Sequence, residues 1–323
     1  MISLTLKVTE PKRWQGIDIL RYKIIGSSSK EIHLRLRDLK TKVNRAESCF
    51  MAARALKQQG FSLDVILAHY GWGSQSFPNL FQADAFPPPF RDKITVLHNR
   101  IDTAKVCPSP DAHLVISDDL TQSRTDEVIS FVNRNLEPYR GCHTFFRALP
   151  KILRGWPTAH VVVVGDDGVS YGSPPPEGTT WKQKYIDEVR GDISDADWQR
   201  VHFTGRIPYN KFIALLQVSR AHVYLTYPFV LNWSLLETMS AGGAVLASDT
   251  ASVLEVIREG ETGLLTDFFD HEALAEKLNH LLDDAPLRAR LGLAARALVQ
   301  QKFDLKTVSL PQQLGWVDAL AHT

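Results

Sequence analysis

The sequence predicts a two-domain α/β protein whose C-terminal two-thirds is a doubly wound parallel sheet. Three observations carry this. Strand-like and helix-like patterns alternate without a break from residue 128 onward. The run His160-Val161-Val162-Val163-Val164-Gly165 is apolar on both alternating faces, as a strand covered by helices on two sides must be. The chain has 323 residues, 44% of them hydrophobic and 23% charged, enough apolar material for two cores.

In the N-terminal third, residues 2–8 and 17–24 read as strands, and residues 31–59 as a long helical stretch. Residues 64–69 read as a buried strand that ends in Tyr70-Gly71-Trp72-Gly73. Pro87-Pro88-Pro89 marks a loop, and residues 94–97 a further strand. Pro108 and Pro110 place the domain boundary within 103–111, giving an N-terminal domain of 1–105 and a C-terminal domain of 106–304.

The C-terminal elements follow in order. A strand at 128–132 leads into a helix at 142–153, and the valine strand at 160–165 into a Gly/Pro-rich loop at 166–180 and a polar helix. Further strands are expected at 201–205, 221–227, 244–248 and 262–266, each followed by a helical pattern. The segment 305–323 reads as a last helix that packs back across both domains. Ligands of such a sheet bind at the carboxyl ends of its strands.

Charge and cysteine usage narrow the function classes. Lys plus Arg number 37 against 36 Asp plus Glu, so the net charge of +1 gives no general attraction to nucleic acid. Cys49, Cys107 and Cys142 are widely spaced, form no metal-ligand pattern and read as free thiols of a reducing compartment. No stretch reaches the roughly 18 apolar residues of a membrane helix, and residues 1–10 carry no signal-peptide core. The expected location is the cytosol, with membrane contact limited to peripheral association at the inner face. The Lys/Arg-containing stretch 33–45 reads as a solvated helix face rather than a membrane anchor.

Two segments carry candidate chemistry. Tyr227-Pro228-Phe229-Val230-Leu231-Asn232-Trp233-Ser234-Leu235-Leu236-Glu237 lies between two expected strands and turns into a helix near Ser234. The free N–H groups and positive dipole end of that helix suit phosphate, and Glu237 suits ribose hydroxyls. Ser234-Leu235-Leu236-Glu237 also fits a capping box, in which Ser and Glu only satisfy the helix's own N–H groups. Spacing leaves both readings open. In the second segment, Asn133-Arg134-Asn135-Leu136-Glu137-Pro138-Tyr139-Arg140-Gly141, two guanidiniums on one strand-end loop suit a diphosphate. A solvated loop with surface arginines is the alternative there.

Together these segments resemble glycosyltransferase family 4. Its members show a G-R-x…K-G loop after the first strand of the C-terminal domain and an E-x7-E element ending in a L-L-E-A-M-A-x-G helix. The counterparts here are Arg134, Arg140-Gly141 and Ser234-Leu235-Leu236-Glu237-Thr238-Met239-Ser240-Ala241-Gly242. Ser252-Val253-Leu254-Glu255-Val256-Ile257, Gly260 and Thr262-Gly263-Leu264-Leu265 then follow in family order, so the likeness runs unbroken over 127–303. The resemblance implies a GT-B pair of Rossmann-like domains, the C-terminal one complete and the N-terminal one shortened.

It also implies transfer of a sugar, with retention, from a nucleotide-diphosphate sugar to a glycan, lipid-linked or small acceptor, with no cofactor and no metal. The lack of a strand-end Asp-x-Asp in this half agrees with the last point. Arg134 and Arg140 would hold the diphosphate and offset leaving-group charge. Backbone around Asn232, Trp233, Ser234 and Leu235 would support the phosphates, Glu237 would bind the ribose, and Gly205 would border the donor. His69, at the end of a buried strand, is a catalytic candidate as well as a candidate packed histidine. Trp72 reads as sugar-stacking or core, and His98 as structural.

The chain departs from the pattern at two motif residues and in its shortened N-terminal half. The first glutamate of E-x7-E, which normally contacts the transferred sugar, is Phe229, and the lysine of K-G is Arg140. Phe229 and the shortened N-terminal domain motivate a second reading: a catalytically impaired relative that binds nucleotide sugar as the partner subunit of a complete transferase. A shortened sheet with an uncovered edge further implies self-association or a partner at that domain.

Overall fold

The computed structural model describes residues 12–14, 17–19, 96–98, 100–170, 172–228 and 231–321. The chain divides into two compact units, Met1–Phe77 with Gln313–Thr323, and Pro78–Gln312. In the first unit, strands β1 (Lys12–Trp14) and β2 (Ile17–Ile19) pair antiparallel as a short hairpin. The expected strands at 2–8 and 64–69, the helix at 31–59, and His69, Trp72 and Cys49 lie outside the described residues.

The second unit holds a six-stranded, all-parallel sheet in the order β10-β9-β8-β5-β6-β7. Its strands are β5 (Val128–Asn135), β6 (His160–Asp166), β7 (Val201–Gly205), β8 (Ala221–Tyr224), β9 (Val245–Ser248) and β10 (Leu264–Thr266). The chain winds outward from β5 through β6 to β7, returns to β8 on the other side of β5, and winds outward again. The strand order therefore reverses between β5 and β8. The loops after those two strands meet at this switch point, where doubly wound sheets leave a crevice.

Helices cover both faces of the sheet. Helix α1 (Cys142–Gly155) buries Phe145, Phe146, Leu149, Ile152 and Leu153, an i, i+4, i+7 stripe with its flanking positions. The Phe145 ring stacks on Phe131 of β5 at 4.4 Å. This core continues through Val161 and Val163 to Leu274 and Leu278 of α7 (His271–Asp283). On the other face, Val245 and Ala247 pack with Leu235 and Met239 of α5 (Trp233–Ser240) and Val299 of α8 (Ala285–Lys302). Val161 to Val164 are all buried because they are covered from both sides.

Four elements differ from the sequence reading. A hairpin of β3 (His113–Ser117) and β4 (Leu120–Ser123), unanticipated from sequence, precedes β5 and packs Leu114 against Val162 and Leu215. Val96 and Leu97 do not form the expected strand. Strand β8 stops at Tyr224 rather than Tyr227, because the next amides find other acceptors. Thr226 N–H donates to Ser248 Oγ at 3.1 Å and Tyr227 N–H to the Tyr139 carbonyl at 2.9 Å. The final helix is a π turn over Leu305–Ser309 followed by an α-helix over Leu310–Ala321. The segment around residue 101 belongs to the sheet unit: Ile101 N–H bonds the Phe303 carbonyl at 2.9 Å, and Thr103 Oγ1 donates to Asp304 at 2.6 Å.

One buried polar contact ties stability to pH. His222 of β8 is fully buried, with Nδ1 2.9 Å from Ser130 Oγ and no partner for Nε2 among the described residues. Burial disfavours the imidazolium and pushes its pKa from 6.5 down to about 3. Below pH 6.5 the unfolded chain thus binds a proton that the folded chain refuses until pH falls to about 3. This residue alone is expected to remove roughly 1.4 kcal/mol of stability per pH unit as pH falls through that window. Urea unfolding at pH 7, 5.5 and 4.5 checks this: His222→Asn should flatten the decline by about one bound proton.

Candidate active site at the switch point

The loop after β5 is built on one turn of 3-10 helix, Pro138–Arg140, closed by Gly141 in the left-handed region at φ 69°. This turn sends Arg140 back under the sheet edge, where it is only 7% exposed. Its Nη1 donates to Thr226 Oγ1 at 2.9 Å, joining the loop after β5 to the loop after β8 across the switch point. The bond from Tyr227 N–H to the Tyr139 carbonyl makes the same link through the backbone.

Arg134, Asn135, Glu137, Arg140, Ser170 and Asn232 line a cavity of about 90 Å³ at this junction. Of the residues singled out in the sequence, the cavity gathers Arg134, Arg140 and Asn232. Arg134 is exposed and makes no hydrogen bond or ion pair among the described residues. Glu137 is fully buried and holds the loop after β6, accepting from Ser170 N–H at 3.1 Å and Gly172 N–H at 3.1 Å. Asn135 Nδ2 donates to Ser170 Oγ at 2.6 Å, fixing the same wall.

Helix α5 opens at this cavity, with Asn232 as its N-cap residue. Asn232 N–H donates to the buried Tyr224 hydroxyl at 2.8 Å, while its side chain makes no capping bond. The capping box read at Ser234 and Glu237 does not form, because the helix begins one residue before Ser234. Ser234 then sits at the second helical position, its Oγ buried without a partner among the described residues. Among the described residues no side chain caps the first amides of α5, and Trp233 is 55% exposed beside them. Leu235 is fully buried and holds the helix to the sheet.

Glu237 lies one turn further along α5, at 6% exposure, and accepts from the Tyr209 hydroxyl at 2.7 Å. Burial pushes its carboxyl above the ordinary range, and the Tyr209 bond opposes that push. Tyr209 begins helix α4 (Tyr209–Val218), just beyond Gly205 at the end of β7. Gly205 is left-handed at φ 63°, with open space where a Cβ would stand. Phe229 lies outside the described residues. His98 packs edge-on to Phe303 at 5.3 Å with Nδ1 4.0 Å from Glu255, in keeping with a structural role.

Sequence reasoning missed Glu137, Thr226 and Tyr209, whose partners lie 33, 86 and 28 residues away, so no local pattern marks them. Among the described residues no cluster of three or more His, Cys, Asp or Glu is placed to hold a metal ion. No described helix is long and apolar enough to cross a membrane. A second cavity of about 550 Å³ lies between the β3–β4 hairpin and β7 and contains none of the residues singled out above.

The family model for glycosyl transferases group 1 matches residues 116–298, the whole of this sheet and its switch-point loops. The chain belongs to the glycosyl transferases group 1 family. A model of the glycosyl transferase family 4 group matches residues 2–79 as well. Among characterised relatives, the D-inositol 3-phosphate glycosyltransferase of Corynebacterium diphtheriae is 26% identical over 169 residues, 52% of this chain and 37% of that protein. The phosphatidyl-myo-inositol mannosyltransferase of Mycolicibacterium smegmatis is 27% identical over 191 residues, 58% of this chain and 44% of that one. The chain thus aligns with less than half the length of either relative. Among solved structures, the C-terminal domain of the group 1 protein LpcC from Francisella tularensis superimposes with a TM-score of 0.53 at 20% identity, over 64% of this chain and all of that one. HepE from Anabaena, solved with UDP and glucose, gives 0.55 at 23% identity, over 71% of this chain and 57% of that one. These likenesses show the GT-B fold for the part of the chain that they cover.

Proposed function

We propose that this chain transfers a sugar, with retention of anomeric configuration and without a metal, from a nucleotide-diphosphate sugar to a glycan, lipid-linked or small acceptor. What carries the reading is one juxtaposition: Arg134 and Arg140 share a cavity with Asn232, where the uncapped helix α5 begins. Two guanidiniums and a helix N-terminus form a cationic cradle suited to a diphosphate. The donor's ribose lies against Glu237. As the bond from sugar to phosphate breaks, negative charge grows on the diphosphate, and groups already aimed at it lower the barrier. Relatives whose names specify inositol phosphate, phosphatidyl-inositol and GDP-mannose favour a polyol or lipid-linked acceptor and make GDP and UDP sugars the first donors to test.

Phe229 in place of the first motif glutamate favours the second reading, a partner subunit that binds donor without turnover. Release of nucleoside diphosphate from UDP-glucose and GDP-mannose, measured with inositol phosphate and phosphatidylinositol as acceptors, separates the two. Acceptor-dependent release that collapses in Arg134→Ala supports the enzyme. Donor binding with no bond cleavage by any combination supports the partner subunit.

A further inference from the structure

We propose that Tyr209 is a positioning residue of the donor site: its hydroxyl fixes one oxygen of Glu237 so that the other is presented to the vicinal diol of a bound ribonucleotide. The inference rests on the donor-site reading above and adds a residue that the family motifs do not contain. Tyr209 Oη donates to Glu237 Oε1 at 2.7 Å, tying the start of α4 to the first turns of α5. This is the one side-chain hydrogen bond of Glu237 among the described residues. An ionised carboxylate offers about four acceptor positions, and a buried one normally fills most of them. Among the described residues Glu237, at 6% exposure, is therefore short of donors, and a diol brings two.

The ring itself is suited to hold that oxygen in place. It is 47% exposed, so packing does not dictate its presence, yet the Lys105 ammonium lies 5.0 Å over its face and Phe212 lies 5.9 Å from it. The hydroxyl also favours the ionised, accepting form of Glu237. Burial raises the carboxyl pKa and the Tyr209 bond lowers it, so removing the hydroxyl leaves the ionised state less favoured.

The test is calorimetric titration of wild type and Tyr209→Phe with UDP, GDP and ADP, with the 2′,3′-dideoxy form of whichever binds best, and with inorganic pyrophosphate. The phenylalanine variant is expected to bind the ribonucleotide about tenfold more weakly, with dideoxynucleotide and pyrophosphate affinities changed by less than about twofold. Its acid-side loss of ribonucleotide affinity should move to higher pH. In a Glu237→Ala background, which leaves the Tyr209 hydroxyl nothing to position, Tyr209→Phe should have no further effect. Unchanged ribonucleotide binding, or equal weakening of all three ligands, would overturn the inference while leaving the donor site standing. Failure of wild type to bind any of the three nucleotides would overturn the donor-site reading and this inference with it.

Discussion

Arg140→Ala is expected to weaken nucleoside diphosphate binding by about a hundredfold or more. The guanidinium is nearly buried at the switch point and already oriented by Thr226, so on the proposed reading it would meet the diphosphate with little rotamer entropy left to lose. Its removal also strips the Thr226 hydroxyl of its donor and uncouples the loops after β5 and β8. Arg140→Lys should recover only part of the affinity, because an ammonium cannot reach Thr226 and grip phosphate through one planar fork. Calorimetry with the tightest-binding nucleotide reads both variants. Loss equal to that of Arg134→Ala would mean that the buried anchoring contributes nothing beyond charge.

Gly141→Ala is expected to destabilise the sheet unit by about 3 kcal/mol, lowering the thermal midpoint on the order of 5–10 °C. Two effects add. The residue holds φ at 69°, where a side chain is strained. A Cβ there would stand 2.3 Å from Leu225 Cβ, on a residue that is itself buried, so backbone must move. The movement falls on the turn that carries Arg140, so donor affinity should decline with stability. Differential scanning calorimetry checks the first effect and nucleotide titration the second. A variant that keeps the wild-type midpoint would show that the turn after β5 is far more compliant than its packing implies.

The sheet was legible where burial is two-sided. Val161 to Val164 have no polar face to offer, so their run reads as a parallel strand, and β7 was read with its observed bounds. The β3–β4 hairpin escaped because each strand is short, the register shifts between Val115 and Ser117, and its turn at Asp118 and Asp119 lacks glycine. The sequence pattern overextends strand β8 because Leu225, Thr226 and Tyr227 have strand-like side chains, whereas the Thr226 and Tyr227 amides turn toward Ser248 and Tyr139.

The candidate site was legible in the residues of its charged half. Arg134, Arg140 and Glu237 stand in motifs with family spacing, and Arg134 and Arg140 do share one cavity. The supporting half was not. Ser234 and Glu237 satisfy the capping-box pattern in sequence, and only the observed helix start shows that the hydroxyl has no partner among the described residues and that the carboxylate is turned to Tyr209. Thr226, Glu137 and Tyr209 act through partners far along the chain, and such pairings leave no trace in a local window.

The central claim is that the switch point binds a nucleoside diphosphate, and a crystal structure of the chain grown with the tightest-binding nucleoside diphosphate tests it most directly. The expected result places the diphosphate between Arg134 and Arg140 against the first amides of α5, with the ribose diol on Glu237. A diphosphate found elsewhere on the molecule, for example in the cavity beneath the β3–β4 hairpin, would contradict it.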